Sequence, residues 1–351
     1  MTKNILPAFL SVQGYRLNDD EKRLFAKSNP LGVCLFAKGC TNVCDKEQLS
    51  ALCKEIKETI GREDVLIATD QEGGRVRRLC EPEFTPLTEQ MSLTSPELAR
   101  LHAFLASFDL KNCGINVNFA PVLDTYYTFS SDVLKGRCFG GDKEKIALLG
   151  KAMIEEYMSN GICPCIKHLP GHGRAQSDPH LELPVIEDDI NTLQQDFYPF
   201  QKLNKAPMGM VAHLLLTSID AFHPSGESKT IIKEIIRGII GFNGFLVSDA
   251  LMMHALKGSI SERANRAIAA GCDAVCLGNA DFSANEELSQ SKLFLSDAAA
   301  ERLQNIQKII ARTMQTQSYE QVKNKYCAAL KNIISYSSEY DATEILNRIR
   351  K

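Results

Sequence analysis

The residues able to do chemistry are unevenly spread along this chain. Of its seven histidines, His168, His172 and His180 fall within thirteen residues, in the stretch KHLPGHGRAQSDPHLELP from 167 to 184. The stretch also carries Lys167, Arg174 and Asp178, has a glycine on each side of His172, and places two prolines within five residues of His180. Three roles suit such histidines: metal ligands, loop surface without chemistry, or an acid–base device, since imidazole titrates near neutral pH. Spacings of four and eight on a Gly-Pro loop do not resemble the one-turn helical histidine pair of zinc hydrolases, although Asp178 and His213 would complete a ligand set. No metal is expected here.

A second group of polar residues closes short apolar runs. IATD ends at Asp70, PVLD at Asp124, CIKH at His168, MVAH at His213 and LVSD at Asp249. One aspartate in such a place caps the next helix; five polar ends together predict an active-site rim. After Asp70, DQEGGRVRRL adds two glycines, which admit positive φ and close backbone approach, and then Arg75, Arg77 and Arg78. This loop reads either as a solvated charged turn or as one folding a carboxylate and a guanidinium over a ligand. In the histidine stretch the glycines are expected to leave the loop free to move.

The elements that must hold these groups follow from the apolar pattern. Runs of continuous apolarity begin at Leu6, Gly32, Val65, Asn116, Cys163, Met208, Gly244 and Asp273. Continuous apolarity predicts strands buried on both faces, as in a parallel sheet covered by helices. Between them lie helical segments. One has Ser95 as N-cap, Pro96 in its first turn and Gly114 past its end. In SKTIIKEIIRGII, isoleucine pairs recur every four residues, giving a broad apolar stripe. Leu303, Ile306, Ile310 and Met314 follow a capping Ser296, and a polar helical region over 318–350 is expected to pack outside. Eight strands alternating with helices predict a single (β/α)8 TIM-type barrel over 1–351; an open doubly wound sheet fits the eight-fold count less well.

Composition narrows the function classes. A formal net charge of -3 argues against nucleic acid as the main partner. The twelve cysteines mostly sit in apolar runs such as GVCLF and DAVCLG, and Cys34, Cys40, Cys44, Cys53, Cys163 and Cys165 lack a C-x2-C doublet. Free buried thiols in a reducing compartment are expected, not a disulfide scaffold or a zinc site. No apolar run is long enough to cross a bilayer and no cleavage signal follows the N-terminal run, so a cytoplasmic location with no membrane partner is expected.

The stretch KHLPGHGRAQSDPHLELP, followed by GFLVSDALMM, resembles family 3 glycoside hydrolases, specifically the bacterial β-N-acetylglucosaminidase (NagZ-type) branch. LFAKGCTN, DQEGGRV, NFAPVLD, GRCFG and AGCDAVCLGN extend the likeness in family order from about residue 32 to 280. The resemblance implies that Asp249 is the catalytic nucleophile, His180 the general acid/base and Asp178 its dyad partner. It implies that Asp70, Arg78, Arg137, Lys167 and His168 hold the sugar and its N-acetyl group, with His172 shaping the loop. The implied reaction is double displacement with retention: a carboxylate forms a covalent glycosyl-enzyme, while a second group protonates the leaving oxygen and then activates water. A histidine can serve as that second group when a neighbouring carboxylate orients it.

The implied substrate is a GlcNAc-containing peptidoglycan fragment, GlcNAc-1,6-anhydroMurNAc with or without peptide, cleaved in cell-wall recycling by a monomer needing no cofactor. Three positions depart from the family pattern. Pro179 stands where serine is usual, Ala250 where an aspartate often follows the nucleophile, and Leu169 where an aromatic residue or isoleucine is common. The enzymatic rivals are a family 3 β-glucosidase and a GlcNAc phosphorylase. From other classes come a metal-dependent barrel hydrolase and a non-catalytic sugar-binding protein.

Overall fold

The computed structural model describes residues 4–36 and 42–331. Its centre is a closed barrel of eight parallel strands: β1 Leu6–Ser11, β2 Pro30–Leu35, β3 Leu66–Thr69, β4 Val117–Asn118, β5 Cys163–Leu169, β7 Met208–Val211, β9 Phe245–Ala250 and β10 Ala274–Cys276. All eight apolar runs became barrel strands. The pattern did not reveal a short parallel pair outside the barrel, β6 Val185–Ile186 with β8 Leu215–Leu216. Two-residue strands are too short for any periodicity to register.

Around the barrel run α1 Asp19–Ser28, α2 Lys46–Ile60, α3 Pro96–Asn112, α4 Lys143–Ser159, α5 Ile190–Lys202, α6 Ile260–Ala270, α7 Phe282–Ser289, α8 Asp297–Ile310 and α9 Tyr319–Leu330. Each of these helices has a Ser, Asp or Asn N-cap accepting from its first turn, worth about 1 kcal/mol apiece. Ser95 caps α3 as predicted, and Asn18 and Ser259 form full capping boxes with Glu21 and Glu262. The isoleucine-rich segment forms a π-helix over Ile231–Ile239, burying Ile231, Ile232, Ile235 and Ile236.

Two apolar layers result. The outer one lies between strands and helices. The inner one fills the barrel, where Phe9, Cys34, Phe119, Met210, Val247 and Cys276 meet, and Leu295 with Ala299, Leu303 and Ile306 of α8 closes its lower end. Ile310 is only partly buried, and Met314 lies beyond the end of α8. Of the polar C-terminal region, α9 is described and lies against α3. In α9, Val322 and Tyr326 are buried, and the Tyr326 hydroxyl meets His102 Nδ1 of α3 at 3.0 Å. The rest of that region, like residues 37–41 of the LFAKGCTN stretch, lies outside the described residues.

Among the described residues eleven cysteines are free thiols, eight of them buried, as their apolar settings predicted. Among the described residues no helix is long and apolar enough to cross a membrane.

Candidate active site

A barrel with its core filled leaves its working surface at the C-terminal strand ends. There a cavity opens, and Asp70, Arg78, Arg137, Lys167, His168, His180 and Asp249 all line it. Asp178, the eighth residue singled out in the sequence, stands behind His180. The predicted rim of five strand-end polar groups needs correction. Asp70, His168 and Asp249 face the cavity, whereas Asp124 and His213 are fully buried and do not line it. Both lie past their strands, six residues beyond β4 and two beyond β7, and Asp124 is turned to the backbone amides of the histidine stretch.

One wall is an ion-pair network built on β3 and β5. Lys167, 2% exposed, reaches Asp70 Oδ1 at 2.8 Å and Glu72 Oε1 at 2.6 Å. Glu72 grips Arg137 with both oxygens, at 2.9 and 2.8 Å, and Arg78 stands 3.5 Å from Asp70. Burial alone would neutralise Glu72, but Arg137 and Lys167 outweigh it and hold the carboxyl far below the usual range. Burial likewise disfavours the Lys167 ammonium, and Asp70 and Glu72 more than offset this. The three basic groups after Asp70 separate. Arg75 and Arg78 both line the cavity, Arg75 while bonding the Asp132 and Val133 carbonyls, whereas Arg77 pairs with Glu81. The two glycines are there for close approach: Gly73 and Gly74 take φ of 110° and 56°, and a Cβ on Gly73 would lie 2.0 Å from the Thr88 carbonyl. So the loop does bring a carboxylate and a guanidinium to a cavity. Glu72 went unremarked in the sequence, though it sits inside DQEGG, because nothing local shows that Arg137 will reach it.

The histidine stretch, which begins at Lys167, forms more of the wall. Asp124 organises its start, accepting from the backbone N–H of His168 (3.2 Å) and of His172 (2.7 Å), with His168 Nδ1 2.6 Å from its Oδ2. Burial opposes charge on Asp124, yet His168 and His172 hold its carboxyl below the ordinary value. His172 is also part of the cavity wall. Its ring lines the cavity 5.8 Å from that of His168, and burial pushes its pKa down to about 4, leaving it neutral. The glycines beside it do not serve mobility. Gly173 packs so tightly that a Cβ would meet the Thr125 carbonyl at 1.9 Å, and Gly171, with φ of 143°, would meet Asp196. Arg174 fastens the loop further, bonding Asp196 at 2.6 Å and Asp188 at 3.0 Å.

Further along, Asp178 Oδ1 accepts from the His180 backbone N–H at 2.9 Å and lies 2.7 Å from its Nδ1. The Pro179 carbonyl accepts from Ala255 N–H, which docks this turn on the segment after β9. Asp249 projects from the end of β9 and accepts from Ala250 N–H at 2.7 Å. Its burial would raise the carboxyl, but His168, His213, that amide and His180 together hold it below the ordinary range. One cavity therefore brings together an ionised carboxylate, an imidazole braced by a second carboxylate, and a bed of charged hydrogen-bonding groups.

Comparison with known proteins gives consistent results. Residues 6–312 match the model of the glycosyl hydrolase family 3 N-terminal domain. A β-hexosaminidase of Bordetella avium is 33% identical over 314 residues, covering 86% of this chain and 87% of that protein. One from Psychromonas ingrahamii is 36% identical over 286 residues, covering 78% and 82%. Native NagZ from Neisseria gonorrhoeae superposes with a TM-score of 0.78 at 30% identity, covering 92% of this chain and 95% of the other; it has also been solved in complex with N-trifluoroacetyl-D-glucosamine.

Proposed function

Since the chain belongs to glycosyl hydrolase family 3 and is a glycoside hydrolase of the β-hexosaminidase kind, we propose that it is a retaining exo-β-N-acetylglucosaminidase with Asp249 as nucleophile and His180 as general acid/base. The observation that carries this reading is the pairing, within one cavity, of Asp249 with an imidazole whose Nδ1 lies 2.7 Å from Asp178. With Nδ1–H donating to Asp178, Nε2 of His180 is left to protonate the leaving oxygen as Asp249 attacks the anomeric carbon. The same nitrogen then takes a proton from the water that releases the sugar. Asp178 orients the ring and balances its positive charge while it is protonated. Asp70, Arg78, Arg137, Lys167 and His168 hold the sugar, and pairing with one another, with Glu72 and with Asp124 sets them in place before it arrives.

The analogue bound to the Neisseria relative supports a terminal GlcNAc as the group recognised. The natural substrate is a peptidoglycan fragment, GlcNAc-1,6-anhydroMurNAc with or without peptide, cleaved by a cytoplasmic monomer during cell-wall recycling. The chain acts as one catalytic unit.

Asp249→Ala should lower hydrolysis of an aryl β-GlcNAc by about four orders of magnitude or more. A fluorinated GlcNAc analogue should leave an adduct on Asp249, located by peptide mass spectrometry. An adduct on another residue, or undiminished turnover in the variant, would sink the assignment. Product analysis with and without phosphate separates hydrolysis from phosphorolysis.

A further inference from the structure

The floor of the cavity is the top of the barrel's interior packing, and strand registers show what it is made of. In such barrels inward side chains stack in layers of four, each drawn from alternate strands, with a shear of eight. Two members of one layer are therefore staggered by two residues. Cys276 is level with Phe9 on β1, and Cys34 is level with Ser11, two residues on. Cys34 is level with Ala68, and Ala68 with Val117, so the next member is Phe119. Val117 pairs with Cys163, and Cys165 with Met208, which makes Met210 the third. Met210 pairs with Val247, and Val247 with Ala274, and the circuit returns to Cys276.

Cys34, Phe119, Met210 and Cys276 are thus one layer, and all four side chains line the cavity. Three consecutive corners of the ring carry sulfur. The two thiols interact directly across β1, both are free, and at 1% and 3% exposure they can be reached only through the cavity. The mechanism uses none of these sulfurs. Thiolates with a thioether select soft d10 cations over the harder divalent ions, and two or three such donors suffice for them.

We propose that this layer is a binding site for a soft monovalent cation, Cu+ or Ag+, held by Cys34 and Cys276 with Met210 as the third donor. On binding, each thiol releases its proton to solvent as its sulfur–metal bond forms, Met210 donates a lone pair, and no electron is transferred. The occupied floor projects into the space where the sugar is proposed to sit, so the ion inhibits the enzyme.

Silver is the probe, added in chloride-free buffer to the full chain carrying Cys44→Ser, Cys80→Ser and Cys327→Ser, so that exposed thiols do not compete, and Cys40→Ser, which removes a further competing thiol. Calorimetry and native mass spectrometry should show one silver per chain. Binding should weaken about 100-fold or more in Cys34→Ser or Cys276→Ser, and about 10-fold in Met210→Leu, a change of similar volume that the core tolerates. X-ray absorption should find sulfur neighbours alone. No binding, equal binding in Cys276→Ser, or nitrogen neighbours pointing to the imidazoles of the same cavity would each overturn the site. Circular dichroism melts establish that each variant is folded. Aryl β-GlcNAc hydrolysis should fall with one equivalent of silver and return on adding a thiol; unimpaired hydrolysis by silver-loaded protein overturns the inhibition. Only this last readout rests on the glycosidase reading, so a failure of that reading leaves the binding results interpretable.

Discussion

Asp178 forms no part of the cavity wall, yet it decides what His180 can do, because it holds the imidazole by both backbone and ring. Asp178→Ala should therefore slow hydrolysis of substrates with poor leaving groups by about 100-fold or more, while activated aryl glycosides lose much less. Equal losses on both, in a leaving-group series, would show that His180 is not the acid. Glu72 is a different case. It is 1% exposed and neutralises both Arg137 and Lys167, so Glu72→Gln leaves one buried and one largely buried cation short of a partner. Stability by denaturant titration should drop by about 3–5 kcal/mol, with a raised KM in whatever protein remains folded.

At the scale of an element, the loop after β5 is fixed by contacts that its composition disguises. Glycines in GHG suggest freedom, but Gly173 is glycine because the Thr125 carbonyl occupies the place of a side chain. Gly173→Ala should push the loop away from Asp124 and displace His172 and His180 together. We expect kcat to fall about ten-fold or more, since sub-ångström placement of an acid matters that much, while the barrel's circular dichroism stays unchanged. Wild-type kcat in this variant would mean that the loop absorbs the methyl group and that its packing is not what aims His180.

Across the whole molecule, buried neutral histidines tie stability to pH. Burial pushes His102 and His172 each down to about 4, from an ordinary value near 6.5. Between those limits the unfolded chain binds protons that the folded chain refuses, so stability falls as pH is lowered through that window and is unaffected by these groups above it. Each histidine contributes a slope of about 1.4 kcal/mol per pH unit. Calorimetric melts from pH 7 to 4.5 should show the decline, and His102→Gln should make it shallower. The depressed carboxyls of Asp70, Glu72 and Asp124 act lower down: their stabilisation is present above the ordinary carboxylate range and is lost only as pH falls below it.

Much of this protein can be read from local chemistry. Continuous apolar runs mark the eight strands because a strand buried on both faces has no polar side to display. Ser95 and Ser296 announce helices because unpaired first-turn amides need an acceptor. Asp249 and His168 stand at strand ends because a filled barrel has no other place for polar groups on its strands. The tertiary structure alone decided which of those strand-end groups face the ligand, that Glu72 belongs to Arg137, sixty-five residues away, and that Gly173 serves packing. It alone set Cys34, Met210 and Cys276 side by side. Registers around a closed barrel depend on all eight strands at once, so no single stretch of sequence carries that information.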